Sequence, residues 1–157
     1  QLDKLTMFGL TVEYVDTHML PDAVVPGLKE ALTEFARKKG LVDQRWFYTF
    51  AKEHQPFLTG NTSLEEDALS YDEWMQTFEE GRQYINILHP AQYSEETKLF
   101  YNRVLTGDSV ARSREAEQVL LNSGKLEKLC ERMQIQPVKY TDAIPQGDTT
   151  MSAAENF

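Results

Sequence analysis

Residues 63–88 read SLEEDALSYDEWMQTFEEGRQYINIL. This stretch decides the fold class, because its apolar residues recur at the period of an α-helix. At about 100° per residue, Tyr71, Trp74, Met75, Phe78, Ile85 and Leu88 share one face. Asp72, Glu73, Glu79 and Glu80 lie on the other. The stretch holds two capping boxes, Ser63 with Glu66 and Ser70 with Glu73. In such a box the serine accepts a backbone N–H while the glutamate reaches back to the cap. The reading opens a long helix at the second box, runs it from Tyr71 to about Leu88, and ends it at His89-Pro90. Gly81 falls in its apolar face, where a missing side chain permits close approach of a neighbour. Arg82 falls beside Met75 and Tyr71, so its stem packs while its head reaches water, or it is buried in an ion pair or contacts a ligand.

Upstream, a helix is expected between Pro26 and Gly40, with Leu28, Ala31, Leu32 and Phe35 at helical spacing and Lys38 and Lys39 in its last turn. A second is expected from Asp43 as N-cap, carrying Trp46, Phe47 and Phe50 and stopped near Pro56. Downstream, Ser94 caps a helix with Leu99, Phe100 and Val104, ended by Gly107. Asp108 or Ser109 opens another with Val110, Ala111, Val119 and Leu120, ended by Ser123-Gly124. A last short helix carries Leu126, Leu129, Cys130 and Met133. Near the N-terminus, Leu10, Val12 and Tyr14 alternate with polar residues as in a strand, whose expected partner is Val138–Thr141. The fold class is therefore mainly α, a compact bundle of about six or seven amphipathic helices with at most one short β element near the N-terminus. The organisation expected is an extended segment 1–20, a helical domain 21–136 and an irregular tail 137–157. The tail is polar and small in composition, with Ile144, Met151 and Phe157 as its apolar anchors.

Composition narrows the function classes. The 157 residues carry 16 Lys+Arg against 25 Asp+Glu, a net charge of -9, which repels nucleic acid and anionic membrane. One cysteine, Cys130, permits no intrachain disulfide. The first ten residues lack the basic start and apolar centre of a signal peptide, and no apolar run is long enough to span a bilayer. A soluble, intracellular protein is the expectation.

Catalytic and metal-binding patterns are weak. His18, His54 and His89 form no helical ligand motif, and Asp16 with His18 needs further ligands from elsewhere. Residues 62–73 fail as an EF-hand loop, because Asp67 stands where glycine is required. Gly107-Asp108-Ser109 lacks the closing glycine of a nucleophile elbow, and a helix cap accounts for it. Cys130 sits at core spacing and reads as a structural thiol. No phosphate-binding glycine loop is present, and no catalytic residue, metal or cofactor is assigned.

What remains is charge. Between His54 and Gly81 the sequence holds Glu65, Glu66, Asp67, Asp72, Glu73, Glu79 and Glu80, with no Lys or Arg. A single-sign stretch steers an oppositely charged partner. The expectation is a non-enzymatic interaction module, whether adaptor, accessory subunit or small inhibitor. Its partner-binding residues would be these seven carboxylates together with Ile144 and Phe157 of the tail. Its partner would be a protein with a basic surface or a neighbouring subunit, with no nucleic acid and no membrane insertion. The alternatives are a small enzyme with a site of scattered residues, for which Arg82, Glu53 and His54 are the candidates, and an acidic nucleic-acid mimic.

Overall fold

The computed structural model describes residues 1–17, 21, 24–43 and 54–142. Among them the chain is mainly helical, with five α-helices and one two-stranded sheet. The count is lower than expected. The helix expected from Ser94 to Gly107 is replaced by other structure, the one expected from Tyr71 to Leu88 is shifted and shortened, and the one opened by Asp43 lies at 44–53, outside the described residues. The chain divides into two units. The first comprises Gln1–Phe50, Gly81–Ile85 and Val138–Phe157, the second Ala51–Glu80 and Asn86–Pro137.

In the first unit, α1 (Leu2–Met7) is followed by β1 (Tyr14–Val15), α2 (Leu28–Lys39) and β2 (Val42–Asp43). The strands pair in parallel, Tyr14 opposite Val42 and Val15 opposite Asp43. A parallel pair needs a long crossover, and α2 supplies it. The partner of β1 is thus 42–43 and not Val138–Thr141 as expected. The N-terminal residues are not extended throughout: Leu2, Lys4 and Leu5 favour the helix, and β-branched residues take over only from Thr11. Helix α2 matches its expected bounds and closes at Gly40 in the left-handed conformation. Thr33 Oγ1 donates to Asp43 Oδ2 at 2.8 Å, fastening α2 to β2. Asp43 is thus a buried acceptor beside α2, and the helix it was expected to cap lies outside the described residues.

In the second unit, α3 (Leu64–Met75), α4 (Gly107–Asn122) and α5 (Lys125–Met133) enclose a core of Leu58, Tyr71, Trp74, Met75 and Leu120. The first capping box is the one that works. Ser63 Oγ accepts from Glu66 N, and Ser63 N donates to Glu66 Oε2 at 2.8 Å. Ser70 lies within α3 and donates to the Asp67 carbonyl, so the second box opens nothing. The helix also stops at Met75, a full three turns short of Leu88. Thr77 Oγ1 takes the Trp74 carbonyl at 2.7 Å, and Gly81 has φ +75, a conformation that breaks any helix. Farther on, Gln55 satisfies the backbone of Ile87 with both ends of its amide. Its Nε2 donates to Ile87 O at 2.6 Å, and Ile87 N donates to its Oε1 at 2.8 Å. That pairing holds the segment extended. Phe78 and Leu88 still pack on the core, but from a loop. Trp74 meets Tyr71 edge-on at 5.8 Å and Phe78 edge-on at 4.8 Å. Arg82 is exposed, and so is not part of an apolar face.

Helix α4 starts one residue earlier than expected, with Thr106 Oγ1 accepting from Ser109 N. Ala111 and Leu120 are buried as expected, whereas Val119 is exposed. Helix α5 sets Leu126, Leu129, Cys130 and Met133 against the core, as their spacing requires. Burial pushes the Cys130 thiol pKa up, in keeping with a packed thiol.

Candidate interaction surface

The stretch between Tyr93 and α4 is the place where sequence and structure disagree most. Expected as a helix ended by Gly107, it folds as a short 3-10 turn (Thr97–Leu99) followed by a tight loop. Ser94 does act as a local cap, its Oγ accepting from Thr97 N at 3.1 Å. Thr97 Oγ1 in turn donates to the Gln92 carbonyl at 2.7 Å. The next turn is built on one side chain: Asn102 Oδ1 accepts from both Val104 N and Leu105 N at 2.8 Å, and Asn102 N donates to Leu105 O. An Asx turn of this type competes with the helix and wins. Gly107 then passes so close to the 3-10 turn that a Cβ there would stand 1.9 Å from the Lys98 carbonyl oxygen. No other residue fits that position without moving the backbone.

An aromatic and ionic frame supports the loop. Tyr93 Oη donates to Asp108 Oδ1, and Arg112 Nε donates to Asp108 Oδ2 at 2.7 Å. The Lys98 ammonium stands 4.6 Å from the centre of the Tyr93 ring and the Arg112 guanidinium 5.6 Å from it. Lys98 is also bound to Glu95 at 2.7 Å, and that bond raises its pKa. The Tyr93 hydroxyl and Arg112 together lower the pKa of Asp108.

Held this way, the loop turns its apolar side chains outward. Leu99, Phe100, Tyr101, Val104 and Leu105 are all exposed, Tyr101 by 72% and Val104 by 87%. Five large hydrophobic side chains exposed within seven residues of one hydrogen-bonded turn are a denser run than scattered surface leucines. Leu99, Phe100 and Val104, expected on a helix, are instead exposed on and beyond a 3-10 turn. A signal was available in the sequence. Asn102 in mid-helix and three consecutive bulky residues at 99–101 fit no single helical face.

The seven acidic residues expected to bind a partner are not equivalent. Asp67 is buried and accepts from Thr62 Oγ1 at 2.5 Å. Glu66 is held in the capping box, where Ser63 lowers its pKa. Glu65 is paired with Lys125 at 3.3 Å, and Asp72 with Arg132 at 2.6 Å. Glu73, Glu79 and Glu80 are exposed. Ile144 and Phe157 lie outside the described residues, as do Glu53 and His18. His54 and Asp16 are exposed, and Asp16 Oδ1 accepts from the Thr17 amide. Among the described residues, no group of three or more His, Cys, Asp or Glu is placed to hold a metal ion, and no helix is long and apolar enough to cross a membrane. No family model, no curated protein and no solved structure matches the chain.

Proposed function

We propose that this chain is a non-enzymatic protein–protein interaction module, an adaptor, accessory subunit or small inhibitor, whose main contact is the turn Leu99–Leu105. The observation that carries the reading is the combination of exposure and rigidity. Apolar side chains left in water are unfavourable unless something covers them. A turn already fixed by Asn102 and Gly107 loses little freedom when it docks. The acidic segment supplies a second element. Glu73, Glu79 and Glu80 project negative charge that steers a partner with a basic surface. Residues 143–157, through Ile144 and Phe157, supply a third contact to the partner or to a neighbouring subunit.

The test is site-specific photo-crosslinking. A photoreactive phenylalanine replaces Tyr101 in one variant and the exposed Glu131 in another. The expected result is a discrete crosslinked species at position 101, absent at 131 and abolished by Val104→Asp. Equal or no crosslinking at the two positions overturns the reading.

A further inference from the structure

We draw no further inference here: the strongest candidate, the exposed apolar turn Leu99–Leu105 between the 3-10 turn and α4, belongs to the surface already described, and nothing in the structure shows what covers it.

Discussion

Tyr71 is fully buried, and its hydroxyl accepts from Gln55 Nε2 at 3.3 Å. Burial pushes its phenol pKa up from 10.0 to about 12, because the phenolate would lose its hydration. The unfolded chain therefore releases this proton at lower pH than the folded one. The neutral phenol is retained in both states below about pH 10, so nothing is lost there. Between about pH 10 and 12 the unfolded state alone ionises, and stability should fall by about 2 kcal/mol from this group. Urea titrations across that range check it by comparison with Tyr71→Phe, which should show a shallower decline. An equal decline in both proteins would assign the loss to the other tyrosines. Gln55 is the second decisive residue. Among the described residues it alone serves Ile87 N, Ile87 O and the Tyr71 hydroxyl. Gln55→Ala should cost about 1 kcal/mol in chemical denaturation, because the two Ile87 bonds it removes are exposed and only the Tyr71 contact is part-buried. A cost under about 0.5 kcal/mol would mean that water replaces the amide without penalty.

The helices were legible in the sequence where local signals and tertiary contacts agree. Helix α3 presents Tyr71, Trp74 and Met75 to the core as their spacing requires. Trp74→Ala should cost about 3–5 kcal/mol, and Phe78→Ala less, because Phe78 is only half-buried. Equal losses would place Phe78 in the core as firmly as Trp74. The helix ends were harder to read. Ser63–Glu66 and Ser70–Glu73 are the same pattern in sequence, but only Ser63 follows a Gly60-Asn61-Thr62 bend that leaves the preceding backbone non-helical. Ser70 is already inside a helix and turns its hydroxyl back on Asp67. The continuation of the apolar face to Ile85 and Leu88 was a coincidence of period. What decides that segment is Gln55, 32 residues away from Ile87, which no local pattern encodes. The candidate surface was misread for a related reason. Leu99, Phe100 and Val104 look like core to any reading that assumes apolar residues must be covered by their own chain. Helix α5 offers a test of a purely local feature. It ends on Gln134 at φ +58, a left-handed conformation that suits glycine. Gln134→Gly should raise stability by about 0.5–1 kcal/mol, measured by thermal or urea unfolding, since it removes that strain at a helix end. A loss would show that the glutamine side chain contributes a contact worth more than the strain.

At the scale of the whole chain, charge is segregated along the sequence. Residues 54–81 carry seven carboxylates and no Lys or Arg, whereas 95–117 mix four cations with five carboxylates. Reversing any two acids to Lys raises the net charge from -9 to -5, since each reversal adds two units. If only net charge mattered, every such pair would weaken attraction to a basic surface equally. If the acidic segment is the steering face, position must matter as well. The discriminating variants are Glu73→Lys with Glu80→Lys, compared with Glu13→Lys with Glu131→Lys. All four residues are exposed. Glu65, Glu66, Asp67 and Asp72 are unsuitable, because their partners Lys125, Ser63, Thr62 and Arg132 mix folding with binding. Both double variants should keep their stability within about 0.5 kcal/mol per site, as surface changes away from buried contacts do. Binding to a polylysine surface, followed from low to moderate salt, is the readout. The Glu73/Glu80 pair should lose several-fold more affinity than the Glu13/Glu131 pair, and should flatten the salt dependence more, because its charges reinforce one another within about a Debye length. Equal losses would reduce the acidic segment to its share of the net charge. The turn Leu99–Leu105 would then stand alone as the recognition element.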